Sequence, residues 1–265
     1  MRNTPERSWY HEYVRNSNRL LITAGDSWTW GDSLGKINGE FQLEDYEYRT
    51  THVFGALLSK RFDADFLNIA TPGSSNASAY DKIKMALLEV VDRYRQIDVI
   101  LPLTENGREI IGDPRWTHLL DTSSLSSMLC SYERNMFDSF NQLKNEFPTV
   151  NFIITRNFTF TFEENRHFVD VPKSWVEILE EHQTIDPYPR TTRAVSMMAI
   201  NPIIEYLNNI NQAPNFKVEM IELFHQGEVA INWLDNSQLN NQMATRHPTE
   251  RAHELWADYI EQFLR

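Results

Sequence analysis

Residues 19–35 read RLLITAGDSWTWGDSLG, an unbroken apolar run that stops at a glycine-led polar turn. RLLITA (19–24) has large aliphatic and β-branched residues without polar alternation, the pattern of a strand buried on both faces. Gly25 then permits a backbone angle or a close approach that other residues resist. Four further runs have the same character: DFLNIA (65–70), DVILPLT (98–104), VNFIIT (150–155) and VEMIEL (218–223). Segments of helical period separate them. Residues 52–61 place Phe54, Leu57 and Leu58 on one face with Thr51 as cap, and residues 79–95 align Ile83, Leu87, Val90, Val91 and Tyr94. The stretch 124–146 carries Leu125, Met128, Leu129, Tyr132, Met136, Phe140 and Leu143 at helical spacing.

Later in the chain, SWVE (174–177) has the form of a capping box, and Pro202 suits the first turn of a helix through 209. A closing helix, about 249–264, turns Ala252, Leu255, Trp256, Tyr259, Ile260 and Phe263 inward. Alternating strands and helices predict an α/β fold, a doubly wound sheet of about five parallel strands covered on both faces. The chain reads as a single domain over 1–265, with insertions near 31–50 and 156–190 that shape a ligand crevice.

Gly-Asp-Ser occurs twice, at 25–27 and at 31–33. Open parallel sheets bind ligands beyond the carboxyl ends of their strands. Ser27 stands directly after a strand and therefore at the mouth of that crevice. Ser33 lies past two tryptophans, inside an insertion, with no strand to aim it. Ser27 is the candidate nucleophile.

Whole-chain properties narrow the partners. With 25 basic against 37 acidic residues the formal net charge is −12, a field that repels a phosphate backbone. Arg93 and Arg95 are interspersed with acidic and apolar residues, so no basic patch opposes that field and no nucleic-acid partner is expected. Cys130, the one cysteine, excludes an internal disulfide framework and reads as a small core residue on a helix. No apolar run approaches a membrane span, and the first residues lack the apolar core of a secretory signal, so no membrane partner and a cytoplasmic or virion-associated location are expected. Nothing in the sequence specifies an oligomeric state.

GDSWTWG (25–31) fits GDS-x-T-x-G and resembles the opening block of the SGNH (GDSL) hydrolases, serine esterases and lipases with a flavodoxin-like sheet of five parallel strands. The literal GDSL at 31–34 is a coincidence of spelling. NIATPGSSN (68–76) is similar to the family's second block, and LTENGRE (103–109) to its third, Gly-x-Asn-Asp. RHPTERAHELWADYIEQFL (246–264) is similar to the closing His-Pro segment before the final helix. None of the other seven histidines precedes both a proline and a terminal helix; His253 reads as surface or helix-packing.

The resemblance implies Ser27 as nucleophile, His247 as base, and an oxyanion hole formed by the Ser27 N–H, the Gly73 N–H and the Asn106 side chain. Gly73 can equally belong to a plain strand-to-helix turn, and Asn106 to a simple turn before glycine. Three positions depart from the family, the first being Thr104 where a glycine is usual. Gly107 stands where an aspartate is usual, and Ala244 stands three residues before His247, where an acid normally orients the imidazole. Asp235 and Glu250 lack the right spacing, which leaves a Ser–His dyad oriented by a backbone carbonyl, an acid recruited from elsewhere, or a weakened enzyme; the dyad is the expectation.

The expected substrate is a small-molecule or carbohydrate ester, with acetyl groups on a sugar ahead of lipids. Trp28, Trp30, Phe41, Tyr46 and Tyr48 could stack on sugar rings, line an acyl slot, or pack the insertion against the sheet. The alternative to an enzyme is a weak or silent SGNH-like binding module. A loop for a phosphate-bearing cofactor would be rich in small residues, whereas this one holds Asp26, Asp32 and two tryptophans. No cofactor is expected, and no metal, because the clustered His/Asp spacing is lacking.

Overall fold

The computed structural model describes residues 11–13, 16–32, 34, 43–104, 122–157, 167–182, 243–244, 247–248 and 250–264. Its sheet contains β1 (His11–Tyr13), β2 (Arg19–Thr23), β3 (Asp65–Asn68), β4 (Gln96–Leu103) and β5 (Val150–Arg156). The order is β1-β3-β2-β4-β5. β2, β3, β4 and β5 run parallel, while β1 pairs antiparallel with β3. Among the described residues the parallel strands therefore number four, not five. The expected strand 218–223 lies outside the described residues, as does the helix from Pro202. The fifth member of the sheet is instead a three-residue edge strand.

Helices cover both faces. Successive side chains of a strand point to opposite sides, and neighbours in β2 obey this. Leu21 joins Phe66, Ile100 and Ile153 in one core, whereas Leu20 and Ile22 join Leu67, Val99 and Leu101 in the other. The second core is closed by α4 (Asn76–Val90) through Ala79, Ile83 and Leu87, and by α5 (Thr122–Glu146) through Phe137, Phe140 and Leu143. Cys130, on α5, is only half buried.

The first core is closed by α3 (Phe54–Arg61), α6 (Trp175–Glu181) and α7 (Glu250–Ile260). Between β2 and α3 lie α1 (Ser27–Trp30) and α2 (Leu43–His52), so the second half of the stretch 31–50 is helical. Thr51 belongs to α2 and does not cap α3. The cap residue of α3 is Val53, which offers no side-chain acceptor. Ser174 and Glu177 do form the capping box, Ser174 N–H donating to Glu177 Oε2 at 2.6 Å and Glu177 N–H to Ser174 Oγ at 3.2 Å.

β7 (His247–Pro248) directly precedes α7, so the anchoring of α7 bears on where the His247 backbone lies. α3 and α6 both hold α7. Trp256 stacks on Trp175 with ring centroids 5.5 Å apart, Trp175 Nε1–H donates to Ala252 O at 3.2 Å, and Arg61 of α3 bridges Asp258 and Glu261 at 2.6 Å each. His253 supplies what Val53 lacks: its Nδ1 accepts the Phe54 N–H at 3.2 Å, capping α3 from another helix.

His253 is fully buried, and that desolvation holds its pKa down at about 3. It is a buried helix-packing residue, not a surface one. The unfolded chain takes up this proton near pH 6.5 and the folded chain resists it, so this contribution to stability is present above pH 6.5 and is lost as pH falls toward 3. Between pH 7 and pH 5 the urea-derived unfolding free energy is expected to drop by about 2 kcal/mol from this residue. His253→Gln should remove that share of the slope; an identical pH slope in the variant would assign the loss elsewhere. Among the described residues no helix is long and apolar enough to cross a membrane.

Candidate active site

The parallel strand order steps from β2 to β3 on one side, then jumps back over β2 to β4. Ligand crevices of open α/β sheets form where the connections diverge in this way, beyond the carboxyl ends of the strands. Here that point lies between the ends of β2 and β4. Gly25 leaves β2 with φ +141°, and a Cβ built on it would lie 2.7 Å from Thr29 Oγ1. Only glycine fits, because α1 turns back over its own entry. Asp26 caps α1, its Oδ1 accepting Trp28 N–H at 3.0 Å, so Ser27 becomes the first helical residue. The helix's own ladder makes no use of the Ser27 amide at that position.

Asp26 is fully buried and is more than a cap. Its Oδ2 accepts the Thr104 hydroxyl at 2.8 Å, and its Oδ1 also accepts the Asn157 side-chain amide at 3.0 Å. Thr104 follows β4 and Asn157 follows β5, so one carboxylate ties three strand ends together. Thr104 is fixed a second time by Asn76 of α4. Asn76 Oδ1 accepts the Thr104 N–H at 2.9 Å, and its Nδ2–H donates to Thr104 O at 3.1 Å. Asn68 continues the knot, donating from Nδ2 to Thr29 O at 3.1 Å and so holding α1 to the end of β3.

Gly73 sits in the turn Thr71-Pro72-Gly73-Ser74, closed by Ser74 N–H to Thr71 O at 3.0 Å. Its φ of +74° and the preceding proline match a type II turn. A Cβ there would meet nothing within 4 Å, so packing does not demand this glycine. The turn is docked on the strand end that leads to Ser27, Thr71 N–H donating to Gly25 O at 3.1 Å. Asn106, Gly107 and Ser33 lie outside the described residues, as does Asp235.

The backbone of His247 lies in a two-residue ladder in which Ala244 of β6 (Met243–Ala244) pairs with His247 of β7. Cα atoms of β7 and α1 come within 8 Å of one another. The fold thus brings the segments of Ser27 and His247 together across more than two hundred residues. The position of the usual acid is an alanine paired by backbone with the histidine. Glu250 is committed elsewhere: its carboxylate accepts the Tyr48 hydroxyl and lies 3.8 Å from His52 Nε2. That bond, with further help from burial and the Glu250 charge, pushes the Tyr48 pKa up to about 12, so its hydroxyl keeps its proton.

Both tryptophans beside Ser27 are buried. Trp28 meets Trp175 edge-on at 5.5 Å, and the Arg49 guanidinium covers Trp30 at 4.9 Å. They pack the segment against the sheet and present no face to a sugar. Tyr48 is the exception, 38% exposed and stacked on His52 at 3.8 Å; Phe41 lies outside the described residues. Asn76, Asn68, Thr104 and Asn157 escaped the sequence reading. Asn76 and Asn68 close and open the glycine-bearing block, and each of the other two directly follows a strand, which is the one signal available for them. Among the described residues no cluster of three or more potential metal ligands occurs.

No protein-family model matches this chain, and no curated protein does. Solved structures do. A family two carbohydrate esterase from Cellvibrio japonicus aligns with 12% identity and a TM-score of 0.43, over 93% of this chain and 60% of its own. An acetyl xylan esterase from the rumen bacterium Butyrivibrio proteoclasticus aligns with 13% identity and a TM-score of 0.45, over 95% of this chain and 65% of its own. A lipolytic protein of the G-D-S-L family from Desulfitobacterium hafniense aligns with 12% identity and a TM-score of 0.38, over 92% and 99%. The chain thus spans less than two thirds of the two carbohydrate-active enzymes. These likenesses are loose, and the site stands on its own geometry.

Proposed function

We propose that this chain is a serine esterase that cleaves small carboxylic esters through an acyl-enzyme. Ser27 Oγ attacks the carbonyl carbon while His247 takes its proton. The tetrahedral oxyanion is met by the N–H groups of Ser27 and Gly73 and by the Asn106 side chain; donors of this kind contribute about 3–4 kcal/mol each. His247 returns the proton to the departing alcohol, and water then attacks the acyl group, releasing the acid and freeing Ser27. The observation that carries this reading is the approach of β7 to α1, which sets the His247 backbone beside the helix that Ser27 opens.

Short acyl groups are favoured over lipid chains, since Trp28 and Trp30 beside Ser27 are buried and offer a long chain no exposed apolar face. A carbohydrate alcohol is the favoured leaving group, with the exposed Tyr48 face next to the start of α7 as its stacking surface. Ala244 opposite His247 favours a second reading, a silent binding module. A fluorophosphonate probe separates the two. Labelling of the wild type that disappears in Ser27→Ala is expected for the esterase, whereas an unlabelled wild type indicates the module.

A further inference from the structure

Lys82 stands apart from the other lysines whose surroundings are described. Lys84, Lys144 and Lys173 each pair with a carboxylate, at 2.7, 3.3 and 2.6 Å. Lys60 lies near the α2 end and donates to Thr51 O at 3.1 Å. Lys82 has no carboxylate partner among the described residues, and its neighbours three and four positions away on α4 are Ser78, Ala79, Met85 and Ala86. Its ammonium donates to one group, the Thr71 hydroxyl. An ammonium carries three donors, so part of its capacity is unused among the described residues. The group is half buried, and that desolvation holds its pKa below the ordinary lysine range. A partly desolvated cation without a carboxylate beside it is costly unless an anion compensates it.

Its place in the fold indicates what that is. Thr71 opens the turn that carries Gly73, and its N–H is bonded to Gly25 O, two residues before Ser27. The ammonium is thus tied to the loop at the mouth of the crevice, in a chain whose formal net charge is −12. We infer that Lys82, presented by Thr71, is an anion subsite that seats a carboxylate on the ester substrate. This rests on the esterase reading of Ser27. A carboxylate there would accept the remaining ammonium donors as charge-assisted hydrogen bonds.

The test compares phenyl acetate with 4-acetoxybenzoate, charged on the alcohol side, and monophenyl succinate, charged on the acyl side. In Lys82→Met the ratio of kcat/KM for one charged ester to that for phenyl acetate is expected to fall about tenfold, through KM, with Lys82→Arg restoring it. The ester that responds identifies which side of the substrate carries the charge. An unchanged ratio for both charged esters overturns the subsite. Calorimetric titration of benzoate into Ser27→Ala, with and without Lys82→Met, needs no hydrolysis. Weaker binding in the double variant supports the subsite, and equal binding overturns it. If the wild type cleaves none of the esters, the esterase reading fails while this titration still decides the role of Lys82.

Discussion

Ser27→Ala is expected to lower kcat/KM for a short-chain aryl ester by roughly 10⁴-fold or more, leaving only what the oxyanion donors and binding supply. Alanine keeps the backbone N–H and the small volume at the start of α1, so the loss reports the hydroxyl and not the fold. Ser33→Ala serves as the contrast and should retain the wild-type rate. A nucleophile and its base act as a unit, so Ser27→Ala combined with His247→Ala should be no slower than Ser27→Ala alone. Steady-state kinetics on the wild type, both single variants, the double variant and Ser33→Ala checks this. Additive losses would mean that the two residues serve different steps, and an active Ser27→Ala would end the assignment.

Asp26→Ala should produce the largest loss of stability, about 4 kcal/mol in urea unfolding at pH 7. The substitution strands the Trp28 N–H, the Thr104 hydroxyl and the Asn157 amide, three donors with buried acceptor bonds to this carboxylate. Each buried group left without a partner costs about 1–3 kcal/mol. Thr104→Val removes one bond of the three and should cost about 1 kcal/mol. Because the carboxylate also fixes the turn into α1, Asp26→Asn, which keeps the shape, should lower kcat more than it lowers stability. A loss under about 1 kcal/mol in Asp26→Ala would show that the strand ends hold together without the knot.

The four parallel strands and the long helices were legible because each is coded locally. RLLIT, DFLN and the apolar runs of β4 and β5 need only their own composition to mark them, and Ala79, Ile83 and Leu87 repeat at the pitch of a helix. Ser27 was legible for a related reason: a glycine-led turn after a buried strand places it. β1 was not, since three residues, His11–Tyr13, are too few to show a period and gain strand geometry only from pairing with β3. α2 was missed because LEDYEYRTTH is polar overall and holds a single aliphatic residue, Leu43.

The sequence by itself thus determined the class of fold, the strand that leads to Ser27 and the helix that follows His247. Tertiary structure alone decided that Asp26 would bind Thr104 and Asn157, partners 78 and 131 residues away, and that His253 would cap a helix 199 residues upstream. It also buried Trp28 and Trp30, which the sequence left open between ligand faces and core. The physical reason lies in range. Periodicity and turn chemistry act over a few residues, whereas a single buried polar atom finds its partner only after the parallel sheet has set distant strand ends side by side.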